Sequence, residues 1–371
     1  MHKSVLITGG AGFLGSHLAD LLLAEHCRVR VLDCLLPQVH GNREEPPEYL
    51  SREVEFLRGD VRDGDMVRKA LAGVEVVFHF AASVGVGQSM YEIENYTSTN
   101  VLGTAVLLQR IIDHPVEKFI VASSMSVYGE GLYVRRDGSP VTDAERTLDQ
   151  LKRGAWDILD ETGDQLEAVP TPEWKTPALT SIYALSKFDQ ERMTILTGRA
   201  YGIPTVALRF FNAYGTRQAL SNPYTGVLAI FASRYLNGNT PLIFEDGRQL
   251  RDFVSVHDIA RACRLAMVKE RVTGVFNIGS GAPVTIEEVA TRMGTILGAS
   301  KIEPEITGTY RVGDIRQCYA DLSRSRETLG YAPSVGFEDG LVELAAWLGS
   351  QNATDAVEQA TNQLRERGLT I

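Results

Sequence analysis

Short apolar runs alternate with helix-like runs over the first third of the chain. The apolar runs lack period-two alternation, which is typical of strands in a sheet that is buried on both faces. Strands that alternate with helices of this length predict βαβ units and a parallel sheet. The predicted strands are 5–7, 28–33, 54–57, 74–80 and 118–122, and the predicted helices are 13–24, 65–71 and 95–113.

The alternation is interrupted once and then resumes. Residues 130–180 are charged and rich in Pro and Gly, with one short helical stretch at 143–153. Long irregular segments are usually functional or disordered, so this stretch predicts an insertion that acts as a lid. A helix at 183–200 and a strand at 205–211 follow it, and the later elements are shorter.

This order of elements predicts an α/β fold with two domains and a tail. The first is a Rossmann-type doubly wound parallel sheet over residues 1–212, and the second is a smaller mixed α/β substrate domain over 213–348. Part of the second domain, about 253–280, is expected to pack back on the first. A polar helical tail follows at 349–371.

Composition and charge exclude several classes of function. The 371 residues carry 37 Lys+Arg and 47 Asp+Glu, a formal charge of −10. A generic binder of nucleic acid or of anionic membranes needs a basic face instead. No apolar run approaches the roughly 20 residues of a membrane span or resembles a secretory signal. The four cysteines lack zinc spacing, so we expect reduced thiols, no metal and a cytoplasmic protein.

A glycine-rich turn lies between the first predicted strand and the first predicted helix. Gly9, Gly12 and Gly15 would let the backbone approach a pyrophosphate at the helix N-terminus. Asp33 ends the second strand 18 positions after Gly15, against about 20 for an acid that binds the ribose of a dinucleotide. A carboxylate there repels a 2′-phosphate, so the pattern predicts NAD rather than NADP. The alternative is a glycine turn followed by an ordinary surface aspartate.

Other strand ends complete the expected cofactor site. Asp60 and Val61 follow the third strand and are expected near the adenine, although a turn acid would have the same pattern. His79 is interpreted as a buried core histidine. The remaining expected cofactor residues are Phe13, Leu14, Phe80, Ala81, Ala82 and Asn100.

A Y-x-x-x-K motif places Tyr183 and Lys187 on one face of a helix. Lowering a tyrosine pKa from about 10 to neutrality requires about 4 kcal/mol. One ammonium at about 4 Å, with an effective dielectric constant near 20, supplies a similar amount. Lys187 and an oxidised nicotinamide would therefore make Tyr183 a usable base. Ser124, at the end of the fifth strand, would bridge Tyr183 and the reacting sugar oxygen. The alternative interpretation of Tyr183 and Lys187 is an exposed helical pair, and that of Ser124 is a serine-rich turn.

Together these motifs resemble the extended short-chain dehydrogenase/reductase family, in its nucleotide-sugar epimerase/dehydratase branch, over about residues 3–348. The resemblance implies that Ser124, Tyr183 and Lys187 are catalytic, with the last two also contacting NAD. It implies a nucleotide-diphosphate sugar as substrate and a homodimer that pairs helices 95–113 and 183–200. The substrate residues that it implies are Val84, Met125, Ser126, Asn212, Phe244, Arg251, Arg311, Asp314 and Cys318.

Three of these substrate residues belong to recognisable motifs. Asn212 lies in R-x-x-N-x-Y-G, and Arg251 lies in R-D-F-x-x-V-x-D. Arg311 matches a second arginine for the diphosphate, to which a guanidinium is well suited. Phe244 would stack on the nucleotide base. The alternative interpretations are surface ion pairs for Arg251 and Arg311 and a core position for Phe244. Cys318 matches the residue that gates pocket size in hexose 4-epimerases, although a small buried hydrophobe would look the same.

The residues after Ser124 indicate the reaction. Dehydratases of this branch carry an Asp-Glu pair there, but this chain has Met125 and Ser126, neither of which titrates usefully. The resemblance therefore favours 4-epimerisation, in which Tyr183 removes the O4 proton while the C4 hydride passes to NAD. The 4-keto sugar would then turn and take the hydride back on its other face.

Within the branch, the stretches 124–131, 218–227 and 310–316 are similar to the dTDP-L-rhamnose 4-epimerases, which form dTDP-6-deoxy-L-talose. Relatives of that group often carry a cysteine pair in the insertion, and this chain has none between 130 and 180. The main alternative is a UDP-hexose or UDP-uronic acid 4-epimerase. A non-catalytic NAD-sensing regulator is a more distant alternative, because such proteins typically lose the Tyr-Lys pair that this chain retains.

Overall fold

A seven-stranded parallel sheet runs through the centre of the protein. The structure is a computed structural model, and it describes residues 2–220, 222, 226–311, 313–349, 351 and 357–370. Parts of the stretches 218–227 and 310–316 and of the tail therefore lie outside the described residues. The strands of the sheet are β1 Ser4–Thr8, β2 Arg28–Asp33, β3 Glu55–Arg58, β4 Val76–His79, β5 Lys118–Ser124, β6 Thr205–Phe210 and β7 Gly274–Ile278. Their order is β7-β6-β5-β4-β1-β2-β3, which confirms the predicted fold class.

The strands are buried on both faces, as their unbroken apolar runs predict. In β1, Val5 and Ile7 join one hydrophobic cluster, and Leu6 between them joins the cluster on the opposite face. Successive side chains of a strand point to opposite faces, so both faces of this strand need helices to cover them.

Helices cover the sheet and build much of the second half of the chain. None of the helices in the described ranges has the length and apolar character that spanning a membrane would take. The helices are Phe13–Ala24, Pro37–His40, Gly64–Leu71, Val86–Ser89, Ile93–Tyr96, Gly103–Asp113, Leu148–Lys152, Ile182–Tyr201, Val227–Leu236, Val256–Val268, Ile286–Ile296, Phe337–Leu348 and Val357–Glu366. Shorter helical stretches are the 3₁₀ turn Met125–Tyr128 and the π-helical stretches Thr97–Leu102 and Ser325–Leu329.

The predicted insertion contains a small antiparallel sheet. Leu132–Val134 pairs with Pro140–Val141 on one side and with Glu167–Val169 on the other. Its own apolar cluster includes Tyr133, Ile158 and Leu166. The insertion is therefore a folded subdomain, and not the irregular segment that its composition suggests.

Buried ion pairs fasten this insertion to the second half of the chain. Arg316 is almost fully buried and contacts Asp157 of the insertion at 3.0 Å, and it also pairs with Glu245 at 3.1 Å. Arg146 of the insertion pairs with Glu245 at 2.7 Å. Buried charges are stable only when paired, so these contacts hold the insertion against the loop that follows Ile243.

The second half forms a smaller mixed sheet and then returns to the central one. The smaller sheet contains Asn212–Tyr214, Leu250–Ser255, Pro283–Thr285 and Gln317–Cys318, and Leu242–Ile243 pairs separately with Glu305–Ile306. Between these elements, β7 adds an edge strand to the central sheet beside β6. The predicted boundaries at residues 212 and 348 stay a prediction.

A buried ion pair joins the long helix Ile182–Tyr201 to the central sheet. Arg209 of β6 contacts both carboxylate oxygens of Glu191, at 2.7 and 2.9 Å, and both side chains are buried. The Ser123 hydroxyl of β5 donates to Glu191 at 2.8 Å. The Arg209 guanidinium also lies 4.7 Å from the centre of the Tyr128 ring. The helix is thereby held in one position over two strands.

We expect Arg209→Ala to lower the free energy of unfolding by about 3–5 kcal/mol, because it leaves Glu191 buried without its ion partner. The matched control is Arg264→Ala, which removes a partly exposed pair with Glu25 at 2.8 Å. That change should cost about 1 kcal/mol or less. Denaturant unfolding of both variants checks the comparison, and equal losses would contradict it.

Candidate active site

A cleft of about 680 Å³ opens along the carboxyl edge of the central sheet. Because the ends of parallel strands meet at this edge, residues that are far apart in sequence come together here. The cleft is lined by the predicted site residues with two exceptions, Asn100 and Cys318.

The glycine-rich turn packs closely against the end of β4. Gly9 has φ +69°, and a Cβ there would lie 2.7 Å from the backbone nitrogen of Ala81. Gly12 precedes the helix Phe13–Ala24, and no side chain in the described part of the chain caps that helix start. The first backbone N–H groups of the helix are therefore available to an anion such as a diphosphate.

The Asp33 carboxylate is held at the end of β2 by backbone groups. It accepts hydrogen bonds from the N–H of Ala11 at 3.0 Å and from the N–H of Leu35 at 2.9 Å. The carboxylate thus ties the glycine-rich turn to β2 while it lines the cleft. This placement suits an acceptor for ribose hydroxyl groups.

Asp60 is engaged by a residue that the sequence analysis missed. Arg62 pairs with Asp60 at 2.6 Å, and this hydrogen bond lowers the pKa of the Asp60 carboxyl. Both residues line the cleft. Arg62 belongs to no motif, so only its position two residues after Asp60 could have pointed to it.

Ser124 and Tyr183 meet at the centre of the cleft. Burial raises the pKa of the Tyr183 phenol, and a side-chain hydrogen bond with Ser124 opposes that shift. The Ser124 oxygen accepts hydrogen bonds from the N–H of Ser126 at 3.2 Å and from its hydroxyl at 2.9 Å. These two donors leave the proton of the Ser124 hydroxyl free to point at Tyr183.

The start of the Tyr183 helix is fixed by two serines. Ser181 caps the helix and accepts a hydrogen bond from the N–H of Ala184 at 3.1 Å. The N–H of Tyr183 donates to the hydroxyl of Ser89 at 3.0 Å. The short helix Val86–Ser89, which follows the loop after β4, is therefore tied directly to Tyr183.

Lys187 lies one turn after Tyr183 and is buried. Burial lowers the pKa of its ammonium to about 7. Its Nζ donates to Oε1 of Gln190 at 2.7 Å. Gln190 is a second residue that the sequence analysis missed, because it belongs to no motif.

Asn100 does not line the cleft, and its expected contact with the cofactor stays a prediction. It is fully buried in the π-helical stretch. Its amide accepts from the N–H of Ser83 at 2.7 Å and donates to the Ser186 hydroxyl at 2.9 Å. Asn100 therefore connects the loop after β4 to the Tyr183 helix and does not line the site.

Cys318 is also absent from the lining of the cleft, and its expected role as a gate stays a prediction. The strand Gln317–Cys318 pairs with Leu250 and Arg251, and this pairing buries the thiol against the insertion. Its Sγ lies 3.9 Å from Oγ1 of Thr171, and burial raises the pKa of the thiol to about 12. The alternative interpretation, a small buried hydrophobe, agrees with this position.

Two arginines and an aromatic ring form the other end of the cleft. Arg251 donates to the carbonyl oxygens of Leu250 and Ile315, at 2.9 and 2.6 Å. Arg311 pairs with Asp314 at 3.0 Å, and its guanidinium lies 4.6 Å from the centre of the Phe244 ring. The predicted substrate residues Phe244, Arg251, Arg311 and Asp314 are thus brought together.

Three amide oxygens in the cleft lack a hydrogen-bond donor. They are the side-chain oxygens of Asn212, Gln218 and Gln249, all buried and without a partner among the described residues. Buried polar atoms are normally hydrogen-bonded, so these oxygens fit a ligand that carries O–H or N–H donors. The sequence analysis predicted only Asn212, because Gln218 and Gln249 match no functional position of the motifs.

The tail crosses the cleft, which its polar sequence did not indicate. Leu364 and Leu369 line the cleft, and a Cβ on Gly87 would lie 3.3 Å from Leu364. At the other end of the tail, Thr370 pairs with Arg311 in an antiparallel bridge. The tail therefore connects the short helix Val86–Ser89 with the arginine end of the cleft.

No acid lies beside Ser124 in the described lining of the cleft. The lining carboxylates are Asp33, Asp60 and Asp314, which are bonded to backbone N–H groups or paired with arginines. The next two residues after Ser124 are Met125 and Ser126. Among the described residues, no group of three or more His, Cys, Asp or Glu side chains is arranged to hold a metal.

Comparison with known proteins agrees with this geometry. A model of the NAD dependent epimerase/dehydratase family matches residues 5–149 and 160–279. A dTDP-L-rhamnose 4-epimerase of Burkholderia thailandensis is 35% identical over 355 residues, which are 94% of this chain and 96% of that protein.

Two solved structures have the same fold. UDP-glucose 4-epimerase of Thermotoga maritima with UDP-glucose has a TM-score of 0.76 and 31% identity, covering 94% of this chain and 99% of that one. UDP-glucose 4-epimerase of Thermus thermophilus in complex with NAD has a TM-score of 0.74 and 30% identity, covering 94% and 100%.

Proposed function

This chain belongs to the NAD dependent epimerase/dehydratase family, and we propose that it is a 4-epimerase that converts dTDP-L-rhamnose to dTDP-6-deoxy-L-talose. The proposal depends on one observation. Ser124, Tyr183 and Lys187 line one cleft, and no acid lies beside Ser124 in the described lining. The described lining therefore offers a base for the sugar O4 but no acid for an elimination.

The residues of the cleft fit NAD, the cofactor of the family. The glycine-rich turn and the uncapped start of Phe13–Ala24 would hold the diphosphate, and Asp33 would hold the adenosine ribose. Phe80, Ala81 and Ala82 line the cleft beside this turn. When bound, NAD supplies reversible hydride acceptance from C4 of the sugar.

Tyr183 would move the proton in both directions of the reaction. It accepts the O4 proton while C4 is oxidised and returns it when C4 is reduced on the other face, so no proton is lost overall. Burial raises the pKa of Tyr183, and a side-chain hydrogen bond with Ser124 opposes that shift. The ammonium of Lys187, one turn along the same helix, would favour the ionised form further. With the sugar bound, Ser124 would turn its one hydroxyl proton from Tyr183 toward the reacting oxygen.

Inversion at C4 requires the sugar to present both faces to the same base. Arg251 and Arg311 would hold the diphosphate at the far end of the cleft, where a guanidinium suits phosphate oxygens. Apolar side chains in the lining of the same cleft would leave the sugar free to turn. They include Val84, Val86, Met90, Met125 and Leu364.

The same apolar lining favours a 6-deoxy sugar. Such a sugar carries a methyl group on C5, which needs neither a hydrogen bond nor a cation. Among the described residues, the arginines that line the cleft are Arg62, Arg251 and Arg311, and each is engaged by an aspartate or by a backbone carbonyl group. A uronic acid carboxylate would have to compete with these partners for an arginine.

We also propose a homodimer that forms through two helical stretches beside the cleft, residues 93–113 and residues 182–201. Ile93, Leu102, Leu185 and Leu196 are apolar and 42–55% exposed on these stretches. Exposed apolar side chains grouped in this way are typical of protein interfaces, and two-fold dimers are the commonest assembly.

Light scattering should give a mass of twice 40.7 kDa at micromolar concentration. Leu196→Glu should shift the protein toward the monomer, because it places a charge in the interface. The matched control is Leu148→Glu in the insertion, where the leucine is 49% exposed, and it should leave the mass unchanged. A monomeric mass for the unmodified protein would contradict the dimer.

Tyr183→Phe should lower kcat by roughly 10²–10⁴-fold, because it removes only the titrating hydroxyl. The variant should retain bound NAD, measured in the cofactor released on denaturation, and NADP in that pool would contradict the role of Asp33. The matched control Tyr201→Phe changes an exposed tyrosine of the same helix and should keep the original rate. Turnover of Tyr183→Phe near that rate would overturn the assigned base.

The substrate is tested by kcat/KM for dTDP-L-rhamnose, UDP-glucose and UDP-glucuronate at equal enzyme, with product detection by NMR. We expect dTDP-L-rhamnose to be the best of the three, because its C5 methyl group matches the apolar lining. A preference for either UDP sugar would contradict the deoxysugar assignment and leave the epimerase assignment intact. No turnover of any of them would contradict both.

A further inference from the structure

A buried chain of hydrogen-bonded polar side chains begins at Lys187 and ends at β1. Lys187 donates to Oε1 of Gln190 at 2.7 Å, and Nε2 of Gln190 donates to Oγ1 of Thr104 at 2.8 Å. Nε2 of Gln190 also lies 3.2 Å from Nε2 of His79, whose Nδ1 lies 2.7 Å from Oγ1 of Thr8. All five side chains are buried.

The chemistry of these groups dictates the orientation of the Gln190 amide. An ammonium can only donate, so Gln190 must direct its oxygen at Lys187 and its NH₂ group at Thr104. Nε2 of His79 also lies 2.8 Å from Oγ1 of Thr104, which itself donates to the carbonyl oxygen of Asn100. The imidazole proton therefore lies on Nε2 toward Thr104, and Nδ1 accepts from the Thr8 hydroxyl. Burial and, to a smaller extent, the charge of Lys187 lower the pKa of His79 to about 3, so His79 stays neutral.

We propose that Gln190 is a positioning residue that keeps the shared proton of the Tyr183–Lys187 pair on Lys187, so that Tyr183 is the group that ionises. This inference rests on the proposed role of Tyr183 as the base. Two interacting groups lose their first proton as a pair, and the proton can leave from either one. The Gln190 oxygen stabilises the charged lysine and thereby favours loss of the proton from tyrosine.

A neutral acceptor suits this task better than a carboxylate. Burial lowers the pKa of Lys187 to about 7, so without an acceptor the lysine would readily become the neutral member of the pair. A carboxylate at residue 190 would hold the proton on lysine, but its negative charge would also oppose ionisation of Tyr183. The amide stabilises the ammonium and leaves the net positive charge beside Tyr183.

The other titratable groups near the pair do not replace this function. His79 is neutral, and Tyr96 lies 6.4 Å from the Tyr183 ring and donates to Gln88. Burial raises the pKa of Asp189, which lies on the same helix. Glu191 is neutralised by Arg209, and Tyr128 packs against that guanidinium.

The test compares Gln190→Glu and Gln190→Met in the NAD-loaded protein, with Gln109→Glu as the matched control on an exposed helix position. One measurement is the pH profile of kcat for dTDP-L-rhamnose. The other is the near-ultraviolet absorbance of tyrosinate, taken as the difference between each protein and its Tyr183→Phe counterpart. The second measurement does not depend on turnover.

Gln190→Glu should move two quantities upward by about one pH unit or more: the acid limb of the kcat profile and the midpoint of the tyrosinate titration. At a fixed pH below the limb, this shift lowers the ionised fraction of Tyr183 about tenfold. Gln190→Met should lower the plateau of kcat and the tyrosinate signal without an upward shift, because the proton then leaves from Lys187. Gln109→Glu should change neither measurement.

An unmoved midpoint in Gln190→Glu, or an unchanged plateau and tyrosinate signal in Gln190→Met, would overturn the inference. Circular dichroism and thermal unfolding identify a variant that fails to fold, in which case the other variant decides. If the unmodified protein turns over no nucleotide sugar, the proposed function fails, whereas the tyrosinate titration still decides the role of Gln190.

Discussion

The buried ion pair between Glu191 and Arg209 holds the helix on which the proposed chemistry depends. A helix that carries Tyr183 and Lys187 is useful only if it keeps one position relative to Ser124 on the sheet. Hydrophobic packing alone would allow the helix to slide, but a two-point contact between guanidinium and carboxylate has one preferred geometry. Ser123 completes this contact by donating to Glu191 and so anchors the helix. The next residue, Ser124, faces the cleft and Tyr183.

The charges of the cleft are distributed according to what each end has to bind. Backbone N–H groups of the glycine-rich turn lie at one end, and Arg251 and Arg311 lie at the other, so both ends suit phosphates. Lys187 lies between them with neutral partners, and its positive charge is therefore available to Tyr183. An unpaired acid at the centre would cancel that charge, and the described lining contains none beside Ser124.

The insertion and the tail both depend on long-range contacts for their position. The insertion is held by Arg316, whose buried guanidinium bridges Asp157 and Glu245. The tail is held by Leu364 at one wall of the cleft and by the pairing of Thr370 with Arg311 at the other. Arg251 donates to the carbonyl groups of residues 315 and 316, so the segment that secures the insertion also orients a proposed substrate residue.

The sequence by itself determined the features that depend on local spacing. Strand and helix periodicity predicts the central sheet, and a fixed number of residues separates the glycine-rich turn from Asp33 and Tyr183 from Lys187. Tertiary structure alone decided the rest, because those positions depend on partners from distant segments. Pairing of strands buries Cys318 away from the cleft, and the π-helical stretch turns Asn100 behind it. Gln190 belongs to no motif, since its importance comes from Thr104 and His79, which only the packing of the helix on the sheet brings within hydrogen-bonding distance.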